Sequence, residues 1–375
     1  MWTVFITAFC LRLTRVFVWL DVSDPDGHLA FARNINQWHH HPPGYGMFLA
    51  PFSGYPIAAL TAQSLLGALT AVMVFKIAER TYGKTAGLWA GFLCAVSLGL
   101  IDASGIFYPA ELFTFLTTVG FYMMPYSGVA WGLAAMTRIE AFLFTGLFAF
   151  SRYRLEVKTA FAICFLIGIT PLMLRSLRFK DVDAGYRFAI TLWGSNNPEA
   201  KGRWLNSEYI KRAMPKEWEI YEKLPVSMKS GYAVSQSIDY IKSLSPKELI
   251  TLIGRRYAYH LQPSIRIGDR RIYDATFVFI LPFAVLGLIA AVKVQDGLLW
   301  IGWLMMLLSR FIVFAGVGSR YRCPSLPLAC VLASGILCRL WQGAKGKITI
   351  MSWAAVNGVF LFCPHLPKAV WHVFV

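Results

Sequence analysis

The chain is short of charge: only 15% of its 375 residues are Asp, Glu, Lys or Arg, while 57% are hydrophobic. A water-soluble protein of this length buries a large core and still needs more charged surface than that supplies. It lacks a Walker-type phosphate loop and a dinucleotide fingerprint, so direct use of ATP or NAD has no motif behind it. Its seven cysteines show no metal-like pair spacing, and an odd number offers no disulfide framework. Its Ser and His residues give no localised nucleophile-and-base arrangement. Strand-like alternation over about 10 residues, the mark of a membrane barrel, is missing too. The 36 Lys and Arg give a formal charge of +16, but no basic arm or nucleic-acid motif gathers them. Many stand in short segments between apolar runs, where they read as topology signals and meet phosphate-bearing lipid headgroups.

What the chain has is a series of apolar runs: Met1–Leu20, Ile57–Ala78, Gly83–Ile101, Tyr108–Met124, an interrupted Val129–Phe150, Thr159–Arg175, Tyr273–Val292, Leu298–Ala315, Pro324–Trp341 and Ile348–Cys363. At about 1.5 Å rise per residue most can cross a hydrocarbon core of roughly 30 Å. The reading is an all-α integral membrane protein of roughly ten spans or partial spans. Arg12 and Arg15 interrupt the first run and no small-residue cleavage site follows, so it is read as a retained span whose arginines snorkel. Val129–Phe150 carries Thr137, Arg138 and Glu140 near its centre. A straight helix would bury both charges in lipid, so a break giving one rising and one returning short helix is expected. With that break, Lys76, Arg80, Lys84, Arg152, Arg154, Lys158, Lys293, Arg339, Lys345 and Lys347 all fall on one side, which the positive-inside bias makes cytoplasmic.

Three segments follow: 1–175, a membrane module with the first exterior loop; 176–272, an extracytoplasmic loop or small subdomain; and 273–375, a second membrane module. Segment 176–272 carries 17 basic and 10 acidic residues. It holds helix-compatible stretches around Gln236–Ser243 and from Ser245, where Pro246 and Glu248 fit a capped start. The second is either an interfacial helix or a packed subdomain helix.

Candidate chemistry gathers on the exterior side. Asp21, Asp24 and Asp26 in the first loop could hold a cation, act as a base or solvate the loop. His39–His41 are read as surface or headgroup contacts rather than metal ligands. Asp102 and Glu111 flank one exterior turn, and Glu111 either enters a polar cavity or complements a helix N-terminus. Arg320 and Arg322 suit phosphate by their planar donors, or snorkel at the interface. Arg138 and Glu140 form an internal pair or line the same cavity.

Taken in order, several fragments resemble one superfamily. They are Asp24 with Ala30-Phe31-Ala32-Arg33, His41-Pro42-Pro43-Gly44-Tyr45, the span with Gln63, Glu111, and Leu133–Glu140. Pro171 with Arg175, Gly194-Ser195-Asn196-Asn197-Pro198-Glu199-Ala200, and Arg320-Tyr321-Arg322-Cys323-Pro324 with Pro327 continue the pattern. Together they resemble the membrane glycosyltransferases of the GT-C fold that use polyprenyl-phosphate-linked sugars, in particular bacterial relatives of protein mannosyltransferases and aminoarabinose lipid A transferases. Departures are His28 where a tyrosine often follows the first-loop acid, the offset second acid Asp26, and Ile139 in place of a proline.

The resemblance implies a multi-pass helical bundle with broken or partial helices and an extracytoplasmic insertion. It implies transfer of a hexosyl or pentosyl group, with inversion, to a hydroxyl-bearing lipid, glycan or protein acceptor. The active site would face outward from a bacterial cytoplasmic membrane. Asp24 is the leading base, Asp26 a supporting acid and Glu111 a cavity acid. Arg138, Arg320 and Arg322 are phosphate or cavity candidates, and His41 and Tyr45 shape the first-loop site. No cofactor is certain; a divalent metal ion occurs in some relatives, and its ligands here are left unknown. Membrane lipids are partners and nucleic acid is not. A lipid-linked glycan transporter or flippase, or a noncatalytic scaffold, are the other readings.

Overall fold

The computed structural model describes residues 1–18, 27–33, 42–124, 126–138, 140–149, 153–178, 186–201, 204–261, 264–267, 270–294 and 322–362. The apolar runs become helices almost wherever they are described. Met1–Leu20 yields α1 (Trp2–Val18), and the first loop contributes α2 (His28–Arg33) and α3 (Pro43–Leu49). Ile57–Ala78 becomes α4 (Pro56–Tyr82), with Pro56 at the first turn, where a missing N–H costs nothing. Gly83 ends α4 with φ +91, a backbone region open to glycine.

Gly83–Ile101 departs from a single helix. It forms α5 (Lys84–Val96) and α6 (Leu98–Ser104), bent by 53° at Ser97, which takes an extended backbone. Glu111 opens α7 (Ala110–Tyr122).

Val129–Phe150 is two helices, α8 (Gly128–Thr137) and α9 (Ala141–Phe148), and α10 (Leu155–Arg178) follows. Their packing gives the direction of the chain. Gly128 packs on the Phe161 carbonyl and Gly132 on the Phe165 carbonyl and Gly168, with no room for a Cβ at either glycine. The contacts advance together along both helices, so α8 and α10 run parallel and α9 must return between them. Trp131 of α8 stacks on Phe144 of α9 at 3.7 Å and 10°. Arg138 breaks the helix at the tip with φ −151 and ψ 133. The broken pair expected from the two central charges is present.

The segment after α10 folds into α11 (Tyr186–Ser195), α12 (Ser207–Ala213), α13 (Pro215–Lys223), α14 (Val226–Ser243) and α15 (Pro246–Leu261), then a two-stranded hairpin of β1 (Ser264–Ile267) and β2 (Arg270–Tyr273). Trp193, Ile210, Trp218, Tyr221 and Ala233 form its own core. The capped start of α15 is as expected: Ser245 N and Oγ donate to Glu248 Oε2 at 2.8 and 2.7 Å, and Glu248 N donates back to Ser245 Oγ at 3.3 Å. Leu252 and Arg256 face inward while Ile250 is exposed, so α15 packs within the subdomain. Helix α14 starts at Val226, ten residues ahead of the expected Gln236.

The chain continues in α16 (Ala275–Val294), a 3-10 turn at Cys323–Ser325, α17 (Leu326–Trp341) and α18 (Ala344–Phe362). The run Leu298–Ala315 lies outside the described residues. One core joins both ends of the chain, from Val4 and Ala8 through Val74 and Cys94 to Ile280, Val331 and Ile350.

Among the described residues, Pro56–Tyr82, Leu155–Leu174 and Cys323–Trp341 are long and apolar enough to cross a membrane, and the bent α5–α6 pair makes a fourth if it is one span. Their environments differ: 72% of the Cys323–Trp341 span is buried against 22% of Leu155–Leu174. The first is a central helix, and the second turns an apolar flank outward, as lipid contact requires.

Candidate functional site

Helix α3 carries the first-loop motif into the bundle. Pro43 opens it, and Gly44 lies so close to the Met136 backbone that a Cβ would stand 2.8 Å away, which presses the first loop onto the tip of α8. Tyr45 is buried, and its hydroxyl makes a short hydrogen bond to Gln63 Oε1 of α4. Gln63 Nε2 in turn donates to the Ser104 and Ile106 carbonyls at 3.2 and 3.1 Å. The Tyr45–Gln63 pair thus ties the first loop, α4 and the α6–α7 turn into one frame. His28, buried on α2, sits edge-on to Tyr45 (5.0 Å) and Tyr108 (6.0 Å).

Charges are buried behind this frame. Arg12 and Arg15 of α1 are 0% and 1% exposed, so the expected snorkelling is corrected: both point into the protein. Arg15 Nε and Nη2 donate to Asp102 Oδ1 at 3.2 and 3.1 Å. Arg12 donates from Nη1 to the Ala8 and Ala95 carbonyls at 3.1 and 3.3 Å, and its neighbour across α4 is Glu111. Glu111 is 1% exposed, and among the described residues neither carboxylate oxygen meets a donor in hydrogen-bonding geometry. Removing a carboxylate from water without such bonds is costly, so its place beside a guanidinium is electrostatically required.

Arg138 and Glu140 pair at the α8–α9 tip, with Nε and Nη2 donating to Oε1 at 3.1 and 2.5 Å. The Arg138 guanidinium also lies 5.5 Å over the ring of Phe113, two residues beyond Glu111. Arg322 is buried and donates to Asp274 Oδ2 at 3.1 Å while covering the Phe277 ring at 4.2 Å. Asp274 Oδ1 caps α16 by accepting from Phe277 N at 3.1 Å and Thr276 Oγ1 at 2.8 Å. Cys323 Sγ reaches the Gly99 carbonyl at 3.3 Å, and Leu98 N donates to Thr276 Oγ1 at 3.0 Å. Arg322 therefore fixes the turn after Arg320 against α6 and α16.

The structure brings Tyr45, Glu111 and Arg138 to one end of the bundle, with Arg322 joining through α6. Asp24, Asp26, His41 and Arg320 lie outside the described residues. Sequence reasoning missed Arg15 with Asp102, and Arg322 with Asp274, as buried pairs. Their signal was one ionisable residue inside an apolar run, Arg15 in the first and Asp274 in the run from Tyr273, which calls for a partner elsewhere in the chain. The Gly194–Ala200 fragment is used up structurally: Asn197 Nδ2 donates to the Trp193 carbonyl at 2.8 Å, and its Oδ1 accepts from Glu199 N and Ala200 N at 3.0 and 2.9 Å. Arg256 Nη2 fastens the same turn by donating to Ser195 O and Asn196 Oδ1 at 2.7 and 2.6 Å. Among the described residues no cluster of three His, Cys, Asp or Glu could hold a metal ion.

No protein-family model matches the chain, and no curated protein sequence does. Solved structures do. The Archaeoglobus fulgidus oligosaccharyltransferase in its apo form superposes with a TM-score of 0.52 at 11% identity, covering 99% of this chain and 55% of that one. The same enzyme tethered to an acceptor peptide containing the NVT sequon gives 0.50 at 12% identity, with the same coverage. ArnT from Cupriavidus metallidurans bound to undecaprenyl phosphate aligns more loosely, at 0.41 and 15% identity over 91% of this chain and 79% of that one, too loosely to build on. The chain spans about half the length of the oligosaccharyltransferase it matches. The fold is an all-α, multi-pass membrane bundle of the GT-C type, with extra helices beyond the membrane core.

Proposed function

We propose that the chain is a glycosyltransferase that moves a sugar from a polyprenyl-phosphate-linked donor to a hydroxyl of a lipid, glycan or protein acceptor. The observation that carries this reading is that the Tyr45 segment, the start of α7 with Glu111 and the α8–α9 tip with Arg138 lie at one end of the bundle, on a fold shared with an oligosaccharyltransferase solved with a tethered acceptor peptide. The reaction needs a carboxylate to orient and deprotonate the attacking hydroxyl and cations to stabilise the departing phosphate. Asp24 is assigned the base, with Asp26 in support. Glu111 holds the interior side of the acid site, and Tyr45 positions the first loop through Gln63. Arg138 and Arg320 are assigned the phosphate, and Arg322 supports Arg320 through its bond to Asp274. In this reading segments 1–175 and 273–375 form the membrane body and 176–272 the extracytoplasmic cover. The site faces outward from a bacterial cytoplasmic membrane, because the basic loops put the other face inside.

The test uses purified protein in liposomes with polyprenyl-phosphate sugars, and mass analysis of glycolipids and glycoproteins to identify the acceptor. Asp24→Asn is expected to lower turnover by about 10²–10⁴-fold with abundance and donor binding little changed. If Asp24→Asn retains turnover while Asp26→Asn or Glu111→Gln abolishes it, the base is reassigned to the residue that fails. Intact donor crossing between leaflets with no new glycosidic bond would overturn transfer in favour of a flippase. Cysteine labelling in intact cells should reach 176–272 from outside and leave 152–158 unlabelled.

A further inference from the structure

Gly67 of α4 has no side chain at a point where two charged groups approach. A Cβ built there would lie 2.3 Å from Arg12 Nε and 2.3 Å from Glu111 Oε1. Both side chains are buried, and Arg12 Nε and both Glu111 oxygens are without a hydrogen-bond partner among the described residues. The two groups flank one point, yet they do not bond each other. Arg12 is held there by its other nitrogens, Nη1 on the Ala8 and Ala95 carbonyls and Nη2 on the Cys94 carbonyl at 3.5 Å. The Ser104 hydroxyl stands within hydrogen-bonding reach of Glu111 but has one proton, and its geometry directs that proton to the Leu100 carbonyl at 3.2 Å, which leaves the carboxylate open to a further donor.

A buried N–H donor and a buried acceptor that flank one point without bonding each other are both satisfied by a single oxygen that accepts from one and donates to the other. We propose that Arg12 and Glu111 form, over Gly67, a binding site for one neutral hydroxyl group. Its oxygen accepts from Arg12 Nε–H and its proton is donated to the Glu111 carboxylate. Neutrality follows from the pair: an anion would face Glu111 at close range and a cation would face Arg12. The hydroxyl belongs either to an internal water or to an acceptor alcohol. In the second case the site rests on the transferase reading and gives Arg12 a positioning role in it. In the first it stands without that reading.

Infrared difference spectroscopy of the full chain in liposomes reads the site directly, because subtracting the Glu111→Gln spectrum isolates the Glu111 carboxyl stretch. With water in the site, the band shifts when H₂O is exchanged for D₂O. With an alcohol as occupant, it shifts on addition of glycerol and not on solvent exchange alone. In both cases Gly67→Ala, whose methyl would stand 2.3 Å from Arg12 Nε and Glu111 Oε1 and so force both away from the oxygen, is expected to abolish the response. Arg12→Lys keeps the charge but removes the Nε donor, so it should weaken the response, and it serves if Gly67→Ala fails to fold. A native band indifferent to both D₂O and glycerol overturns the site, as does a response that survives both substitutions. No sugar donor enters the measurement, so failure of the transferase reading and failure of this site remain distinguishable.

Discussion

Ion pairs in the membrane bundle and ion pairs on the insertion have similar lengths and opposite consequences. Arg15 and Asp102 meet at 3.1 Å with side chains 1% and 6% exposed. Lys223 and Glu219 meet at 2.6 Å with side chains 74% and 68% exposed. The shorter contact is the weaker one. Water and salt screen the exposed pair, and two long side chains lose rotamer freedom to hold it. In the bundle a charge is shielded by neither water nor salt, so loss of an ion-pair partner there is costly. Arg322 with Asp274 repeats the buried case and adds a mechanical role, since Asp274 also caps α16. Buried pairs here locate helices, and exposed pairs decorate them.

The comparison breaks most visibly at Asp102. Asp102→Ala removes a carboxylate that accepts two Arg15 bonds and is expected to cost about 3–5 kcal/mol, because it breaks a buried ion pair by deleting one partner. Thermal or denaturant unfolding in detergent measures it. The double replacement Arg15→Met with Asp102→Leu should recover most of that loss, since an apolar pair of similar volume removes the desolvation cost altogether. A double variant as unstable as the single would mean that the charges contribute something beyond neutralising each other.

The same contrast explains what could be read from the residues in advance. Helices α1, α4, α7 and α10 were legible because an apolar run of sufficient length has few other folds available in lipid. The α8–α9 reversal was legible because Arg138 and Glu140 could not be left mid-span. The bend at Ser97 was not, because Ala86–Ile101 is almost wholly apolar and the bonds made at its break come from distant segments, Leu98 N to Thr276 Oγ1 and Cys323 Sγ to the Gly99 carbonyl. Nor was the early start of α14: Val226–Ser235 mixes apolar and polar residues around Gly231, and its helix is held by Ala233 buried beside Trp193 with Tyr232 and Val234 packed on that core. At the candidate site, Tyr45, Glu111 and Arg138 were legible as residues, and the frame around them was not. Arg15 and Asp102 stand 87 positions apart, and no local pattern links them.

A middle-sized effect is expected at the start of α15, where short-range bonds rather than burial do the work. Ser245→Ala removes the hydroxyl that both accepts from Glu248 N and donates to its carboxylate, and should cost about 0.5–2 kcal/mol of local stability, seen as faster amide exchange over 245–249. Protonation breaks the same cap. Bonds from the Ser245 hydroxyl and backbone hold the Glu248 carboxyl below its ordinary 4.5. A depressed folded value means that the unfolded chain binds the proton first, so the contribution is complete above the ordinary range and is lost as pH falls through the lower folded value. Exchange at 245–249, measured against the intrinsic amide rate at each pH, should therefore quicken below about pH 4.5 in the native chain. In Ser245→Ala it should be fast already and respond less. Equal acid sensitivity in both would place the titrating group elsewhere.

The smallest effect is expected at Lys223, which tests the other half of the comparison. Lys223→Ala deletes a 2.6 Å contact to Glu219, one helical turn away on α13, and leaves Trp218 and Tyr221 buried in the insertion core. Exposed pairs of this spacing contribute about 0.3–0.5 kcal/mol, so unfolding of the insertion should move by less than about 1 kcal/mol. Salt separates this from the bundle. Raising ionic strength should erase the difference between Lys223→Ala and the native chain, because exposed charges are screened within roughly 10 Å at 0.1 M. The deficit of Asp102→Ala should persist in the same salt, since ions do not enter the packed space between α1 and α6. A salt-sensitive Asp102 deficit, or a salt-resistant Lys223 one, would show that burial is not what divides these pairs.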